Sequence, residues 1–583
     1  MSNDLGIDRS GNGNNWAVTN LAYSDQVVDS PTNNFCTWNP LARRHDVTTL
    51  PTMAEGNLQV TGASAGGNAT YGLGTIGVSS GKWYFEVYCK NDAGTGFITG
   101  ISDDNHLGSG TNSAMISYRE NGEAYTNGGS SASYGATYTT GDIIGCAFDV
   151  DNKTVQFFKN GVSQGTLSSL TINTVSPFQQ INTSDVSILN AGQDSSFAGN
   201  KTAQGNQDGN EIGDFYYTPP TGFLALCTSN LPDVAVTPSE HFNTVIYSGS
   251  GSAQSITGVG FAPDFSWFKS RSNSDYHNVY DSVRGGIKYL LTDLTEAEQT
   301  AANGFVSLDS DGFSLDNAGS GGEVNGSGKT YVSWNWKANG SGSSNTDGDI
   351  NSTVSVNTDA GFSIVSWVGN RGLTDPEIGH GLSKAPEMVI LKNRDASRDW
   401  TVFVDSLGAN KNLVLNSTTA TQTGVGRFPA VPTSTTFTTG ASDETNATGD
   451  NLIAYCFHSV DGYSKVGTYT GNGSQDGPFV YTGFRPAFVM VKSASMGNSE
   501  TNWVIWDNER NGYNTAGNVQ VFGNQSWAEG QRDDNGGAGI SDLDILSNGF
   551  KHRDSTWAQN GQSGATFIYI AFAETPFKYS NAR

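Results

Sequence analysis

Three segments in the second half of the chain share one order of apolar and polar positions. Each has a proline, then a run of β-branched and aromatic residues, then a lysine six positions after the proline. Proline enters a strand only at its start or at an edge, and such runs are typical of strands with buried faces. The pattern predicts three equivalent strands, whose proline and lysine pairs are Pro263 and Lys269, Pro386 and Lys392, and Pro486 and Lys492.

The alternation within each run predicts which side chains share a face, because residues two apart in a strand point the same way. Phe265 and Trp267 are expected on the face of Lys269, with Phe268 opposite. The same rule separates Met388 and Ile390 from Val389 and Leu391, and Phe488 and Met490 from Val489 and Val491. Both faces are apolar up to the lysine, so its charged end is expected to emerge at the rim of the domain.

Each segment continues with a short strand ending in aspartate (Asp281, Asp405 and Asp507) and closes on an aromatic-rich strand. The prolines lie 123 and then 100 positions apart, a spacing longer than that of solenoid repeats. This spacing predicts three tandem β-sandwiches with separate cores. A threefold-repeated ligand site is one interpretation of the shared lysine and aspartate. A cross-strand ion pair or a turn-capping aspartate is the structural alternative.

One helix is predicted, over residues 290–303, as an insertion in the first sandwich. Thr295 and Glu298 have the spacing of a capping box, and Gly304 is a suitable stop.

Composition agrees with an all-β chain. The 583 residues include 73 glycines, and aromatic residues make up 11% against 15% for charged residues. Such a balance suits short strands joined by tight turns.

The net charge of −25 argues against duplex nucleic acid as a partner. Neither a membrane span nor a secretion signal is predicted, so synthesis in a cytoplasm without secretion is expected.

The motifs that suggest chemistry are incomplete. The segment 326–330 is similar to a phosphate loop, but Glu323 stands where a glycine is required and a strand follows. Segments 309–312 and 345–349 carry alternate carboxylates without the glutamate of a calcium loop, so turns are preferred to weak Ca²⁺ sites. We predict no catalytic residue, metal or cofactor and no enzymatic activity. A pair of carboxylates brought together by the fold, as in glycosidases, stays open.

The five cysteines are odd in number and lack Cys-x-x-Cys spacing, which argues against a disulfide scaffold or a zinc site. Cys89 and Cys146 lie in apolar strand patterns and are predicted to be small buried hydrophobes. The five are Cys36, Cys89, Cys146, Cys227 and Cys456.

Four ordered motifs in the first half of the chain resemble the SPRY family. They are Gly-Lys-Trp-Tyr-Phe-Glu at 81–86, Gly-Ile-Ser at 100–102, Gly-Asp-Ile-Ile-Gly at 141–145 and Phe-Lys-Asn-Gly at 158–161. The resemblance covers about residues 51–200, and segment 187–192 departs from it where Asn-Phe-Gly is usual. It implies a bent β-sandwich that binds partners through loops at one end and catalyses nothing. Tyr118, Tyr134 and Tyr138 are expected in loops, either as contact residues or as strand-edge packing.

Segments 8–16, 29–35, 37–41 and 571–579 resemble parts of phage tail-fibre and related virion proteins, in which the N-terminal segments precede SPRY-like modules. The resemblance implies a virion structural protein, foremost a tail fibre or related appendage for adhesion to the host surface or attachment to neighbouring virion proteins. A capsid-attached fibre or decoration protein is the alternative, and a tailspike-like polysaccharide depolymerase is the second alternative. The expected partners are other virion proteins and a host polysaccharide or protein. A homo-oligomer is expected, with a trimer favoured.

The predicted fold class is therefore all-β, with tandem β-sandwich modules of jelly-roll or SPRY type and an extended N-terminal arm. The predicted divisions are a docking arm (1–50), a SPRY-like sandwich (51–215), a linker (216–240), and sandwich repeats 1 (241–340), 2 (341–462) and 3 (463–583).

Overall fold

The computed structural model describes most of the chain. Parts of the predicted arm, and Glu323, lie outside the described residues. The residues not described are 1–4, 9–10, 20–26, 31, 43–48, 64–69, 95, 104–114, 127–130, 169, 172–173, 318–323, 425, 512–519, 531–542, 554, 556–558 and 581–583.

The predicted all-β class is confirmed, because strands hold 43% of the residues and helices 3%. The chain folds into two compact units, residues 1–232 and 233–583. None of the helices in the described ranges is both long enough and apolar enough to span a membrane.

The first unit is a sandwich of two antiparallel sheets. One sheet has the order β1-β2-β13-β4-β9-β10-β11, with β14 parallel to β4, and the other has the order β3-β12-β5-β6-β7-β8. The strands are β1 (Thr52–Ala54), β2 (Gln59–Thr61), β3 (Thr70–Leu73), β4 (Lys82–Asn91), β5 (Ile98–Asp103), β6 (Met115–Arg119), β7 (Glu123–Thr126), β8 (Ala132–Ser133), β9 (Ile143–Asp149), β10 (Thr154–Lys159), β11 (Val162–Ser168), β12 (Val175–Ile181), β13 (Val186–Asn190) and β14 (Leu224–Ala225).

Two segments outside the predicted sandwich contribute to its core. Within the arm, Phe35 and Trp38 are buried, and Phe35 bridges to Cys227. The segment expected to be a linker supplies both Cys227 and β14. The structure therefore differs from a simple linker over 216–240, because β14 pairs with β4 and Cys227 bridges to Phe35.

The second unit contains the three predicted repeats and two short helices, α1 (Asp443–Asn446) and α2 (Asn508–Asn511), with 3-10 turns at Pro238–Glu240, Asp405–Leu407 and Phe577–Tyr579. Repeat 1 has β15 (Phe242–Ser248), β16 (Gln254–Thr257), β17 (Phe265–Ser270), β18 (Asn278–Asp281), β19 (Lys288–Leu291), β20 (Gln299–Thr300), β21 (Phe305–Asp309), β22 (Gly312–Leu315) and β23 (Thr330–Trp336). Repeat 2 has β24 (Ser343–Asn345), β25 (Ser352–Asn357), β26 (Phe362–Val368), β27 (Glu377–Gly379), β28 (Met388–Asn393), β29 (Thr401–Val404), β30 (Lys411–Val414), β31 (Gln422–Thr423), β32 (Thr436–Thr438) and β33 (Asn451–Phe457). Repeat 3 has β34 (Ser464–Thr470), β35 (Phe479–Tyr481), β36 (Phe484–Ser493), β37 (Val504–Asp507), β38 (Val521–Phe522), β39 (Leu543–Leu546), β40 (Gly549–His552) and β41 (Thr566–Pro576).

The predicted equivalence of the three proline-to-lysine strands is confirmed. The main sheets contain the matching orders β15-β23-β17-β18-β19, β26-β33-β28-β29-β30 and β34-β41-β36-β37-β38. In each repeat the residue two after the proline pairs with an aromatic residue of the closing strand. These pairs are Phe265 with Trp336, Met388 with Phe457, and Phe488 with Phe572. A smaller sheet covers each main sheet: β16-β22-β21, β27-β32 and β35-β40-β39.

The predicted alternation of faces is also confirmed, but the expectation of separate cores is wrong. Phe268, Leu391 and Val491 each belong to the outer core of their own repeat, beneath the smaller sheet. On the opposite face, Trp267, Ile390 and Met490 all belong to one central core to which the three repeats contribute. The repeats are therefore sandwiches packed around a common centre, and each repeat buries one face against the other two.

The predicted helix over 290–303 is wrong. Residues 288–291 form β19 and residues 299–300 form β20. Thr295 and Glu298 lie in the connection between these strands, and both make contacts with repeat 2. The spacing that suggested a helix cap serves contacts between repeats instead.

Candidate functional site

The three repeats close on one another in a ring, with three contact zones that we call the 1–2, 1–3 and 2–3 seams after the repeats they join. One backbone hydrogen bond recurs in every seam. Glu298 N donates to Arg394 O (2.7 Å), Glu529 N to Arg271 O (2.8 Å), and Thr421 N to Ala494 O (2.9 Å). Each repeat donates once and accepts once, so the first and last repeats meet by the same contact as repeats that are consecutive in sequence.

The recurring lysine lies in the seams. Lys392 Nζ donates to Thr295 O of repeat 1 (3.2 Å), and Lys492 Nζ donates to Thr418 O of repeat 2 (3.0 Å). Each also donates to the carbonyl of the residue that follows it, as Lys269 does to Ser270 O at 2.7 Å. Backbone carbonyls thus satisfy buried ammonium groups at equivalent places.

The expectation that these lysines emerge at a rim is wrong. Lys269, Lys392 and Lys492 are at most 1% exposed, because the neighbouring repeat covers the strand end. Burial disfavours the charged form. It lowers the pKa of Lys269 and of Lys392 to about 8 and that of Lys492 to about 7. Lys392 and Lys492 are therefore structural contacts between repeats, whereas Lys269 donates to Ser270 O and Asn273 O of its own repeat.

A relay of five side chains crosses the 1–2 seam. Tyr455 of repeat 2 donates its hydroxyl to Asp281 Oδ2 at 2.7 Å, and Asp281 pairs with the buried Arg284. Arg284 lies 3.6 Å from Glu298. Arg394 of repeat 2 donates two hydrogen bonds, of 2.8 and 2.9 Å, to the Glu298 carboxylate. Burial acts to raise the pKa of Glu298, but the hydrogen bond from Arg394 and the charge of Arg284 hold it below its ordinary value.

The 1–3 seam repeats this relay at equivalent positions. Trp334 of repeat 1 donates to Asp507 Oδ2 at 3.0 Å, and Arg510 Nε donates to the same oxygen at 2.6 Å. Arg510 also reaches Glu529 (3.4 Å), which accepts from Arg271 Nε at 2.7 Å. Asp281 and Asp507 additionally accept from backbone N–H groups of the turns that follow them. Turn capping is confirmed for these two aspartates.

The 2–3 seam replaces all five members of the relay. The pairing registers place Ile570 where Tyr455 and Trp334 stand, and Val404 where Asp281 and Asp507 stand. The remaining three positions hold Leu407, Thr421 and Ala494. Four of the five contribute to the central core or pack against it: Val404, Leu407, Ala494 and Ile570. Asp405 is exposed and one position out of register with the other two aspartates, so its equivalence in the sequence pattern is wrong.

A tryptophan or histidine side chain occupies an equivalent position in each seam. Trp400 Nε1 donates to Leu291 O (2.7 Å) and Trp503 Nε1 to Val414 O (2.9 Å), across the 1–2 and 2–3 seams. His277 holds the corresponding place in the 1–3 seam, where its Nδ1 accepts from Trp267 at 2.8 Å. Burial lowers the pKa of His277 well below its ordinary value, so the ring is neutral.

On the axis of the ring the three repeats leave a cavity of about 20 Å³ with a wholly apolar lining. Trp267, Ile390 and Met490 each contribute to its wall. A cavity of this size could hold one water molecule, but a water needs polar partners, so the site suits only a very small apolar guest.

The ring has two ends, which are formed by different sets of segments. The segments 233–241, 337–342, 458–463 and 577–580 lie at one end, which we call the connector end, because they adjoin the strand ends 242, 336, 457, 464 and 576. The other end, the loop end, carries the segments 271–277, 394–400 and 494–503, with 292–298, 415–421 and 523–529 between them. The backbone contacts that close the seams lie at the loop end.

In the first unit, the glutamate of the SPRY-like motif organises a buried polar centre. Glu86 accepts from Tyr84 Oη (3.2 Å), Asn190 Nδ2 (3.1 Å) and the backbone N–H groups of Tyr216 (2.9 Å) and Tyr217 (2.7 Å). Burial raises the pKa of Glu86 to about 7, against the effect of these hydrogen bonds. Glu86 thus anchors the segment that follows the sandwich.

The three tyrosines expected in loops form an internal cluster. Tyr118 and Tyr138 are buried, and the Tyr138 hydroxyl donates to Phe97 O (3.1 Å) and Tyr118 O (2.8 Å). Tyr134 packs on Tyr118 and Phe157, and its hydroxyl bonds to Gly165 O. Tyr118 and Tyr138 therefore pack internally, as the packing interpretation predicts, whereas Tyr134 is half-buried at the edge of the cluster.

The incomplete motifs lie in turns. Gly326–Thr330 leads into β23, with Lys329 paired to Asp275 (2.9 Å). Asp347 accepts from Asn345 Nδ2 within its own turn, as the turn interpretation predicts, whereas Asp311 accepts from the N–H groups of Gly258 and Gly260 in a distant loop. Cys89 and Cys146 are confirmed as buried free thiols, and burial raises the pKa of both.

The relay residues carry a sequence signal that is shared by two repeats at a time. An arginine stands two positions after the lysine in repeats 1 and 2, as Arg271 and Arg394. Another stands three positions after the aspartate in repeats 1 and 3, as Arg284 and Arg510. Each pattern occurs in only two of the three repeats. A comparison that keeps only the features common to all three repeats therefore does not detect it.

Residues 237–576, which span the three repeats, match the family described as "Domain of unknown function (DUF7483)". The chain belongs to this family. Residues 82–194 match the SPRY domain, which confirms the resemblance in the first unit.

Relatives of the SPRY part occur in several eukaryotes. The dual specificity protein kinase splA of Dictyostelium discoideum is 31% identical over 90 residues, which are 15% of this chain and 4% of the kinase. The Ran-binding proteins 9/10 homolog of Drosophila melanogaster is 28% identical over 138 residues, 22% of this chain and 14% of that protein. The chain thus spans a small part of either relative.

Solved SPRY structures are similar to about a quarter of the chain. The SPRY domain of human HERC1 is 26% identical and covers 26% of this chain and 96% of its own, with a TM-score of 0.22. The TRIM65 PSpry domain is 16% identical and covers 27% of this chain and 90% of its own, also with a TM-score of 0.22.

Proposed function

We propose that this protein is a non-enzymatic structural protein of a phage virion, foremost a tail fibre or related appendage. It would be made in the cytoplasm of the bacterial host and exposed on the particle, where it attaches to the host surface or to neighbouring virion proteins. The resemblance of segments 8–16, 29–35 and 37–41 to tail-fibre proteins supports the proposal. The SPRY domain supports it too, since the SPRY resemblance implies binding through loops.

The observation that carries the proposal is the arrangement of the ring. Residues 233 and 580, the first and last described residues of the second unit, and both connections between repeats lie at the connector end. The loop end is built from segments of all three repeats, whose backbones are tied together by the seam hydrogen bonds. Such a unit can be held from one end while it offers a broad surface of fixed shape at the other, which suits an adhesive appendage.

Labelling of intact particles tests the proposal. An antibody against this chain, visualised by electron microscopy on phage from the genome that encodes it, should mark the tail or its fibres. Marking of the capsid would favour the capsid-attached fibre or decoration protein. Particles without the chain would overturn the proposal, and release of reducing ends from host polysaccharide by the purified protein would overturn its non-enzymatic part.

We also propose a homo-oligomer, with a trimer favoured. The equivalent faces of the three repeats bury one another within one chain, so they are not free to join three chains. Contacts between chains would therefore come from other parts, such as residues 1–50.

Sedimentation of the full chain should show a species of about three times 61.6 kDa. A 61.6 kDa species at every concentration would contradict the proposed trimer.

A further inference from the structure

Repeat 1 takes part in both seams that contain the ionic relay. The 2–3 seam has an apolar or neutral residue at every one of those five positions. We propose that the ring opens in acid around repeat 1: the 1–2 and 1–3 seams separate while repeats 2 and 3 stay joined.

Proton uptake provides the driving force. Glu298 pairs with Arg394 across the 1–2 seam in the closed ring and loses this partner when the seam opens, so the open form binds more protons as the pH falls. The pKa of Glu298 is below its ordinary value of 4.5 in the closed ring. The ionised Glu298 carboxylate therefore stabilises the closed ring fully above pH 4.5. This stabilisation is lost as the pH falls through the lowered pKa of Glu298. Opening of the 1–2 seam also removes the hydrogen bond from Tyr455 to Asp281, the carboxylate that pairs with the buried Arg284.

The buried lysines do not create the difference between seams. One lies in each seam, and burial lowers the pKa of all three to about 7 or 8. All three are protonated in acid, so their cost to closure is common to the three seams. The relay, in contrast, is present in two seams and replaced in the third.

The 1–2 seam gives the cleaner test, because His277 and Asp293 lie beside each other in the 1–3 seam and act in opposite directions. Burial lowers the pKa of His277, so acid favours opening there, and burial raises the pKa of Asp293 to about 7, so acid favours closure. Among the described residues, the charged or titratable groups around the 1–2 relay are Tyr280, Asp281, Arg284, Lys288, Glu298, Lys392, Arg394, Arg398, Asp399 and Tyr455. Those facing the 1–3 relay are Lys269, Arg271, Asp275, His277, Asp293, Lys329, Asp507, Glu509, Arg510 and Glu529.

Three equivalent amides report on the three seams: Glu298 N, Glu529 N and Thr421 N. Hydrogen exchange of the full chain is measured at pH 7 and pH 3.5 and corrected for the intrinsic effect of pH on exchange. We expect the amides of Glu298 and Glu529 to lose protection by about tenfold or more, and that of Thr421 by much less. An equal loss at all three amides, or no loss before far-ultraviolet circular dichroism reports global unfolding, would overturn the proposal.

A transplant of the 2–3 seam residues sharpens the test. The variant carries Y455I, D281V, R284L, E298T and R394A, which give the 1–2 seam the side chains found in the 2–3 seam. Acid should then no longer expose the amide at position 298, while Glu529 should still respond. The milder pair E298T and R394A keeps the buried Asp281 and Arg284 and serves if the fivefold variant does not fold. An unchanged acid response at position 298 in the folded variant would overturn the proposal.

Discussion

The 1–2 and 2–3 seams solve the same packing problem with different chemistry. Both have the buried lysine, the tryptophan bound to a carbonyl of the neighbouring repeat, and the backbone hydrogen bond at the loop end. They differ at five positions, which form an ionic relay in one seam and are apolar or neutral in the other. The shared contacts thus set the geometry of the seam. The five variable positions can hold either the ionic relay or apolar and neutral side chains.

The replacements are coordinated for a physical reason. A buried charge without a partner is costly, whereas replacing a whole buried ionic group by apolar residues of suitable volume is often neutral or stabilising. Loss of one relay member alone would leave the others unpaired. The 2–3 seam accordingly has Val404 together with Leu407, and Thr421 together with Ala494.

The largest effect should come from removing one relay member. Asp281→Asn removes the charge that balances Arg284, whose side chain is 0% exposed. The free energy of unfolding should fall by about 3–5 kcal/mol, measured by urea denaturation. Asp405→Asn is the matched control, because Asp405 is exposed and out of register, and it should change stability by less than about 0.5 kcal/mol. Similar losses in the two variants would contradict the difference between the seams.

The second prediction compares Leu391 and Ile390, adjacent residues whose side chains lie on opposite faces of β28. Leu391→Ala and Ile390→Ala should each cost about 2–5 kcal/mol, but in different places. Leu391 lies in the outer core of repeat 2, so hydrogen exchange should increase mainly there, and Phe268→Ala and Val491→Ala should likewise act on repeats 1 and 3. Ile390 lies in the central core, so its loss should increase exchange in all three repeats. A response to Ile390→Ala confined to repeat 2 would mean that the cores are separate after all.

The buried lysine should make stability depend on pH in the alkaline range. Burial lowers the pKa of Lys492 from 10.5 to about 7, so the folded chain binds fewer protons than the unfolded chain between these values. Stability should therefore rise as the pH increases from about 7 towards 10, and Lys492→Met should reduce that rise by roughly 1–2 kcal/mol. Denaturation midpoints across this range provide the measurement. Lys384→Met, at an exposed position of repeat 2, should leave the rise unchanged.

The smallest effect should come from building the outer part of the relay into the 2–3 seam. Thr421→Glu and Ala494→Arg place the two side chains where Glu298 and Arg394 pair in the 1–2 seam. Their coupling should be favourable by about 0.2–1 kcal/mol, because the rest of the relay is absent. A double-mutant cycle in urea isolates this coupling from the effects of the single changes. A coupling of zero or of the opposite sign would mean that the 2–3 seam does not share the geometry of the other two.

Local geometry explains why much of the fold could be predicted. The side-chain period of a strand is two residues, so Trp267 and Phe268 had to face opposite ways whatever covered them. Pro263, Pro386 and Pro486 marked equivalent strands because proline has few places in a sheet. The SPRY motifs placed β4, β5, β9 and β10 for the same reason, since each is a short stretch with its own pattern.

The failures have a common cause in contacts between distant residues. Thr295 and Glu298 have the spacing of a helix cap, but their partners are Lys392 and Arg394 of the next repeat. Asp405 falls at the end of a matching run, yet the pairing of Met388 with Val404 shifts it by one position. Neither partner is visible within the local pattern, so the candidate ligand site formed by the shared lysine and aspartate could not be resolved from sequence.

The sequence by itself determined the three proline-to-lysine strands, their repetition and the two faces of each, because these follow from residue type and period over a few neighbouring positions. Only the tertiary structure decided that the three repeats close into one ring around a shared core. That closure depends on backbone groups such as Glu298 N and Arg394 O, 96 positions apart. Every residue but proline carries the same backbone donor and acceptor. A bond between such groups leaves no mark in residue type, and only the folded chain shows which groups meet.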